Sequence, residues 1–157
     1  MLVRELMTKK VYTVRESERF GTIVNLLIAK KISGVPVINK NNKLIGIISE
    51  KDLLHKLFPK EEDFYKDINY YKNFRKIELE ASHLSDLTAQ DIMTKKVITV
   101  RPDNHVLVAC SLIAIHDIRR LPVVDNGRIV GIVTTNNLYK SYLSSFISKS
   151  KGGDLNV

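Results

Sequence analysis

Two short apolar runs joined by a polar turn occur twice along the chain, and they dominate its pattern of hydrophobic and polar positions. In the later copy, the runs LPVV and RIVGIV flank the dipeptide Asn126-Gly127. An Asn-Gly pair between apolar runs favours a tight β-hairpin, because both turn positions need a positive φ angle. The earlier copy places SGVPVI at residues 33–38 and LIGIIS at 44–49 around a longer polar turn. The pattern therefore predicts two β-hairpins.

The hairpins belong to a longer internal repeat. The segment MTKKV at residues 7–11 recurs at 93–97, and PV at 36–37 recurs at 122–123, both 86 residues later. Gly46 recurs as Gly131, 85 residues later, so the second copy lacks one residue in its hairpin turn. A deletion in an exposed turn leaves the strand registers intact. We therefore expect two copies of one folded unit.

An amphipathic helix precedes each hairpin. Apolar residues recur at spacings of three and four after Ser17 and Asp103, which are the expected helix N-caps. A short strand at residues 11–14 precedes the first helix, and further helices begin at Ser49 and Thr134. The predicted apolar faces are Phe20, Ile23, Val24, Leu27 and Ile28 in the first copy and Val106, Ala109, Cys110, Ile113 and Ala114 in the second.

The fold class predicted from this order is α/β (α+β), with two β-α-β-β-α units that we expect to pack in pseudo-two-fold symmetry. Strand, helix and strand joined by short links imply a crossover onto a small sheet. Such a sheet buries little surface by itself, which is why the two units are expected to pack together. We place the first unit at residues 1–58, a helical connecting segment at 59–85, the second unit at 86–145 and a C-terminal tail at 146–157.

The connecting segment is too aromatic for a free linker. Phe64, Ile68 and Tyr71 recur at helical spacing, which predicts a helix docked across the units, with a lid over a ligand as the alternative. The second unit ends in a continued helix, and the sequence KSKGG after it is typical of a frayed tail. The apolar residues of that last helix are Tyr142, Leu143, Phe146 and Ile147.

The composition is that of a globular protein, since 44% of the 157 residues are hydrophobic and 27% are charged. No apolar run approaches the ~18 residues that a membrane span needs. Polar residues follow Met1 too early for a signal peptide. The single cysteine, Cys110, lies on an apolar helix face, so we expect it to pack in the core of a protein from a reducing compartment. These features favour a cytoplasmic location without membrane contact.

The formal net charge of +8 would attract phosphates on nucleotides or nucleic acid, although scattered lysines are also typical of a solvated surface. The four histidines lack metal-ligand spacing, and no nucleophile elbow, phosphate-binding loop or dinucleotide glycine motif is present. We therefore expect neither an enzyme nor a metal site. Nucleic-acid binding is the alternative function, but no helix-turn-helix or RNA-binding signature supports it.

Candidate chemistry gathers where each hairpin ends and the next helix begins. Ser49 and Asp52 are spaced for a capping box, in which Ser49 caps the helix and Asp52 reaches back. The same carboxylate could instead accept both hydroxyls of a ribose. In the second copy Thr134 and Asn137 take these places, and an amide still accepts one hydroxyl but loses the charge-assisted acceptance of a carboxylate.

Two arginines distinguish the second hairpin from the first. Arg119 and Arg120 stand where the first copy has Ser33 and Gly34. Guanidinium groups match phosphate oxygens through two parallel hydrogen bonds, so the pair is a candidate phosphate contact. A solvated helix end is the alternative interpretation.

These elements together resemble a tandem pair of cystathionine-β-synthase (CBS) domains, the arrangement called a Bateman module. The resemblance covers residues 1–58 and 86–145 and rests on MT before each first strand, on GVPV and RLPV, and on GIISxxD and GIVTxxN. It implies a regulatory module without catalysis that binds AMP, ADP, ATP or S-adenosyl methionine in clefts between the paired domains. It also implies a homodimer, and we expect no required cofactor. Because the sequence ends soon after the second unit, we expect the output to pass to an effector protein, or the site simply to hold nucleotide.

The resemblance also implies which residues hold the ligand. The hydroxyl and acidic positions match those that hold ribose, and the arginine pair matches a place where basic residues meet phosphate, which favours AMP, ADP or ATP. Other matching positions line the clefts or lie beside the adenine. The full set expected to bind ligand is Thr13, Val35, Pro36, Ser49, Asp52, Thr99, Arg119, Arg120, Leu121, Pro122, Thr134 and Asn137.

The two copies depart from the family pattern in opposite directions, because the first keeps the aspartate and the second has the arginines. We therefore predict one principal site in which Asp52 and Ser49 hold ribose and Arg119 or Arg120 reaches the phosphates. Isothermal titration of AMP should show weaker binding to the Asp52→Ala and Arg120→Ala variants. Unchanged affinity in both variants would contradict the prediction.

Overall fold

The computed structural model describes residues 1–58, 65–66, 69 and 74–150. The chain forms two compact units. The first-repeat unit is Tyr12–Val97, and the second-repeat unit combines Met1–Val11 with Ile98–Val157. Each contains helices and strands, so the α+β class predicted from the sequence is confirmed.

A short helix, a longer helix and a hairpin followed by a further helix occur in this order in both repeats. The described elements are α1 (Val3–Leu6), β1 (Val14–Arg15), α2 (Phe20–Lys30), β2 (Gly34–Ile38), β3 (Leu44–Ser49), α3 (Glu50–Leu57), α4 (Phe74–Ala81), a 3-10 helix (Ser82–Asp86), α5 (Ala89–Ile92), α6 (Val106–Ile115), β4 (Arg120–Asp125), β5 (Arg128–Thr134), α7 (Thr135–Asn137), a π-helix (Leu138–Leu143) and α8 (Ser144–Ser150).

Each unit is built on a small sheet. In the first-repeat unit β1 pairs parallel with β2, and β2 pairs antiparallel with β3. In the second-repeat unit β4 pairs antiparallel with β5, and Val100 forms a single parallel bridge to Val123. The first strand predicted at residues 11–14 is wrong in its bounds, because only Val14 and Arg15 find partners on β2.

Both predicted hairpins are present. Asn126 and Gly127 adopt φ angles of 47° and 76°, as the tight turn requires. The longer turn is organised by Asn39, whose Oδ1 accepts hydrogen bonds from the backbone N–H of Asn41 at 2.9 Å and of Lys43 at 3.0 Å. The side chain of Asn39 thus adds to the backbone bonds of the turn, in which the Asn39 N–H donates to the Lys43 carbonyl and the Asn42 N–H to the Asn39 carbonyl, both at 3.0 Å.

The segment that opens each repeat belongs to the unit of the other repeat. Thr8 and Ile132 exchange backbone hydrogen bonds of 2.9 and 3.0 Å, and Thr94 and Ile47 exchange bonds of 2.9 and 3.1 Å. Each pair adds a one-residue strand to the outer edge of a hairpin. The recurrence of MTKKV therefore marks two docking segments, which the sequence analysis placed only as residues before a strand.

A glycine makes room for each docking segment. A Cβ atom built on Gly46 would lie 2.7 Å from Cγ and 2.9 Å from Cβ of Met93, and it would overlap the sulfur. A Cβ atom on Gly131 would meet Met7 in the same way. Distances under 3 Å are far inside van der Waals contact, so a side chain at either glycine would displace the methionine.

The predicted helix N-caps are wrong in both units. Helix α2 begins after Arg19, and its first N–H, on Phe20, donates to the carbonyl of Leu87 at 2.9 Å. Helix α6 begins after His105, and Val106 N–H donates to the carbonyl of Met1 at 3.1 Å. The Leu87 carbonyl thus takes the part that Ser17 was expected to play in α2. In α6 the part expected of Asp103 is shared between the Met1 carbonyl and the side chain of His105, whose Nδ1 accepts a hydrogen bond from the Leu107 N–H at 3.3 Å.

Asp103 is engaged elsewhere. Its carboxylate accepts a hydrogen bond from Nε of Arg101 at 3.1 Å, and this bond lowers the pKa of Asp103 below its usual value. The helix begins at Val106 with His105 as its N-cap, so Asp103 lies two residues before the capping position.

Two apolar clusters form the cores. Ile23, Leu27, Val35, Val37 and Ile48 are buried in the first-repeat unit, and the second-repeat unit buries their counterparts except that of Leu27, Ile113, which is half-buried. The predicted apolar helix faces are confirmed except at their last positions, since Ile28 is 69% exposed and Ala114 is exposed. The buried members of the second cluster are Val3, Leu6, Val100, Val106, Ala109, Leu121, Val123, Val133 and Leu138.

Cys110 packs against the second-repeat core, as predicted. Burial raises the pKa of its thiol, so the thiolate is scarce near neutral pH. The helix predicted at the C-terminal end is also confirmed, as helical structure continues to Ser150. The helix predicted from Phe64, Ile68 and Tyr71 lies outside the described residues, as does the predicted frayed tail from residue 151 onward. The first two residues of that tail, Lys149 and Ser150, are instead part of α8. None of the helices in the described ranges is long and apolar enough to cross a membrane.

Replacing Gly46 by alanine is expected to lower the free energy of unfolding by about 1–3 kcal/mol, the usual effect of overpacking. Gly21→Ala is the matched control, because Gly21 lies within α2 and the part of the chain that the structure describes leaves open space where its methyl group would lie. This control should raise stability by about 0.5–1 kcal/mol. Urea denaturation measures both changes. Equal stability of the Gly46→Ala and Gly21→Ala proteins would contradict the close contact between Gly46 and Met93.

Candidate functional site

The first-repeat junction is the place where β3 ends at Ser49 and α3 begins. Asp52 Oδ2 accepts hydrogen bonds from the Ser49 N–H at 2.7 Å and from the Ser49 hydroxyl at 2.5 Å. Ser49 Oγ in turn accepts from the Asp52 N–H at 3.3 Å. The capping box expected from the sequence is therefore formed, and it holds the carboxylate in one orientation.

Only one oxygen of Asp52 is used by the cap. The other oxygen, Oδ1, accepts a weak hydrogen bond from the Thr94 hydroxyl at 3.4 Å. Asp52 is half-buried and Thr94 is exposed, so Oδ1 lies at the surface of the unit. A carboxylate oxygen has two lone pairs, and Oδ1 therefore retains capacity to accept a hydrogen bond from a ligand.

The second-repeat junction has the same backbone arrangement. Asn137 Oδ1 accepts from the Thr134 N–H at 2.9 Å and from the Thr134 hydroxyl at 2.7 Å. Thr134 Oγ1 accepts from the Asn137 N–H at 3.2 Å. The amide nitrogen, Nδ2, donates to the Thr8 hydroxyl at 3.4 Å. Asn137 thus caps its helix as Asp52 does, with a nitrogen where Asp52 has its second oxygen.

Arg120 is brought to this second-repeat junction by the sheet. It is the register partner of Thr134 across β4 and β5, whereas Gly34 is the partner of Ser49 across β2 and β3. The carbonyl of Arg119 accepts a hydrogen bond from the Thr135 N–H at 3.0 Å, so Arg119 also lies next to the start of the helix. The arginine pair and the Thr134–Asn137 cap are therefore neighbours.

The structure distributes the predicted ligand-binding residues between the two units. Asp52 and Ser49 lie in the first-repeat unit, and Arg119 and Arg120 lie in the second-repeat unit. Within the units, the contacts above join Ser49 to Asp52 and join Thr134, Asn137 and the arginine pair. The principal site that combines Asp52 with an arginine stays a prediction.

The apolar candidates are core residues. Val35 and Leu121 have no exposed surface, and Pro36 and Pro122 are less than 2% exposed. Their side chains support the hairpins. Thr13 is half-buried and Thr99 is exposed, and neither is joined to the junction residues by the contacts above.

Thr8 and Thr94 are further candidate site residues, which were absent from the set expected from the sequence. Each places a hydroxyl beside the capping residue of its unit, against Asn137 and Asp52 respectively. The signal was the exact recurrence of Met-Thr at positions 7–8 and 93–94, which repeats a polar residue that neither strand nor helix formation needs.

A groove of about 720 Å³ in the first-repeat unit lies between α2 and α3 and is mainly apolar. Ser33 and Glu50 reach it, but Ser49 and Asp52 do not line it. The groove therefore reaches the start of α3 at Glu50 but does not include the Ser49–Asp52 cap. Among the described residues, no three His, Cys, Asp or Glu side chains are grouped closely enough to hold a metal ion.

A family comparison matches both repeats. Residues 3–59 and 89–144 each match the model of the CBS domain. The chain is 34% identical over 155 residues to the uncharacterized protein MJ1426 of Methanocaldococcus jannaschii, with 91% of this chain and 92% of that protein covered. Other relatives are longer, and the chain spans only 26% of the inosine-5'-monophosphate dehydrogenase of the same organism.

Two similar crystal structures contain adenosine compounds. The structure of CBSX2 in complex with AMP has a TM-score of 0.69 and 28% sequence identity, with 92% of this chain and 98% of that chain covered. CBSX2 is a protein of Arabidopsis thaliana. The CBS domain pair of the protein MJ0100 in complex with 5'-methylthioadenosine and S-adenosyl-L-methionine also has a TM-score of 0.69, with 25% identity and the same coverage.

Proposed function

Because the chain belongs to the CBS domain family, we propose that it is a regulatory module whose strand-to-helix junctions bind an adenosine-containing ligand. The observation that carries this proposal is the orientation of Asp52. The cap fixes its Oδ2, and Oδ1 lies at the surface with one lone pair left to accept a ribose hydroxyl. The similarity to structures that hold AMP and S-adenosyl-L-methionine supports the same ligand class.

Adenine nucleotides are favoured over S-adenosyl methionine. Arg119 and Arg120 adjoin the second-repeat junction, and guanidinium groups bind phosphates strongly. S-adenosyl methionine carries no phosphate and would offer these cations no such contact. We therefore infer AMP, ADP or ATP as the physiological ligand, in a cytoplasmic protein that acts without catalysis.

Ligand binding at a junction would tie together parts of the chain that are distant in sequence. Asp52 begins α3, whereas Thr94 belongs to the docking segment that opens the second repeat. A ligand held by both side chains would stabilise the docked arrangement over an undocked one. A ligand shifts such an equilibrium only through its different affinity for the two states, and an effector protein that distinguishes them would read the change.

We also propose a homodimer, because apolar side chains are exposed around the α2–α3 groove. Ile28, Leu54 and Phe58 are 69%, 55% and 44% exposed, and the last helices of the second-repeat unit expose Tyr139, Leu143, Phe146 and Ile147 as well. An exposed apolar patch such as the one around this groove marks an interaction site.

Leu54→Glu is expected to shift the protein from dimer to monomer in sedimentation velocity, because a charge would be buried at the proposed interface. Leu79→Glu is the control, since Leu79 is 66% exposed on α4 and does not line the groove. An unchanged dimer in the Leu54→Glu protein, or a monomer in the wild type, would contradict the proposed interface.

Replacing Asp52 by asparagine is expected to weaken AMP binding by about 10–100-fold, the effect of losing hydrogen bonds to a charged group. The fold should be preserved, because Asn137 already makes the same cap with an amide. Isothermal titration and thermal shift with AMP, ADP, ATP and S-adenosyl methionine measure the effect. Asp86→Asn is the control, as it removes the same charge from an exposed position of the same unit.

If the Asp52→Asn protein binds AMP as tightly as the Asp86→Asn protein does, Asp52 does not contribute to ligand binding. A wild-type protein whose melting temperature none of the four compounds raises would overturn the proposed ligand class, since a ligand of the native state stabilises it by mass action.

A further inference from the structure

The two junctions share their backbone geometry but present opposite hydrogen-bonding groups. At the first-repeat junction the outward atom of the capping side chain is a carboxylate oxygen, Asp52 Oδ1. At the second-repeat junction the outward atom is the amide nitrogen of Asn137, which donates to Thr8. An oxygen accepts hydrogen bonds and an amide nitrogen only donates them. The same ligand therefore cannot be held in the same way at both places.

The orientation of the Asn137 amide is fixed by the backbone. The Thr134 N–H lies 2.9 Å from the inward atom, and an N–H group can only donate, so the inward atom must be the oxygen. The Thr134 hydroxyl occupies the second lone pair of that oxygen. Rotating the amide would set two N–H donors against each other. Asn137 consequently has no acceptor to offer a ribose hydroxyl, which corrects the expectation that its amide would accept one.

The formal charge of the two junctions also differs, and it too favours phosphate binding at the second-repeat junction. The three segments that meet at the second-repeat junction, residues 7–10, 119–121 and 134–137, carry four cationic side chains and no acidic one, a formal charge of +4. The equivalent segments of the first repeat, residues 93–96, 33–35 and 49–52, carry three lysines and two acids, a formal charge of +1. The four cations are Lys9, Lys10, Arg119 and Arg120.

We infer that Asn137 makes the second-repeat junction selective for the phosphates of an adenine nucleotide and indifferent to its ribose hydroxyls, whereas Asp52 makes the first-repeat junction read those hydroxyls. This inference rests on the proposed function. Amide and guanidinium donors match phosphate oxygens, and four cations favour a triphosphate over a monophosphate. A carboxylate, by contrast, discriminates strongly against an analogue that lacks the hydroxyls it accepts.

The test compares ATP with 2',3'-dideoxy-ATP by isothermal titration in the Asp52→Asn protein, where the first-repeat junction is weakened. We expect the two nucleotides to bind with affinities within about threefold of each other, and both to weaken between 50 and 200 mM salt. Adding Asn137→Asp should restore a carboxylate and give ATP a preference of about tenfold or more over the dideoxy compound. Asn136→Asp adds the same charge at the preceding residue and should give no preference for ATP over the dideoxy compound.

The inference is overturned if ATP is already preferred tenfold in the Asp52→Asn protein, if no nucleotide binds to that protein, or if Asn137→Asp and Asn136→Asp behave alike. The first comparison uses the natural Asn137, so it does not depend on the folding of the Asn137→Asp variant. Wild-type protein that binds no adenosine compound would overturn the proposed function as well. If the wild-type protein binds ATP but every site binds 2',3'-dideoxy-ATP more weakly by the same factor, the proposed difference between the junctions is overturned and the proposed function is not.

Discussion

Contact between a glycine and a methionine is the constraint on which both units depend. Gly46 and Gly131 have no side chain, and Met93 and Met7 occupy the space that a Cβ atom would fill. The neighbouring threonines can then pair with the hairpin edge through two short backbone hydrogen bonds. That pairing carries each threonine hydroxyl to the capping residue of the next helix. Core packing, the closed sheet edge and the candidate site therefore share one origin.

The same four-residue cap has two structural roles at each junction. It satisfies N–H groups that the start of a helix leaves without partners, and it locks the side chain that faces outward. The cap tolerates either an aspartate or an asparagine, because each offers an inward oxygen. The outward atom is not constrained by folding, so the chemistry at the surface can differ between two units whose folds are alike.

Local patterns made much of the fold predictable. Asn126-Gly127 specifies its hairpin by turn chemistry, and Ser49 with Asp52 specifies its cap, because both signals lie within four residues. The starts of α2 and α6 could not be predicted in this way. Their first N–H groups are satisfied by the carbonyls of Leu87 and Met1. Every residue type has a backbone carbonyl, so no particular residue in the sequence marks such a partner. The direction of the Asn137 amide likewise depends on a bond to the backbone of Thr134, which composition does not encode.

The exchange of opening segments bears on how such a chain could be divided. A fragment that held one repeat alone would keep its own Met-Thr strand but would have a hairpin whose edge is built to receive another such strand. Two identical fragments could satisfy each other by trading these strands between molecules, as domain-swapped dimers do. A covalent tandem makes the trade within one chain, where the effective concentration of the incoming strand is set by the connection and not by the amount of protein.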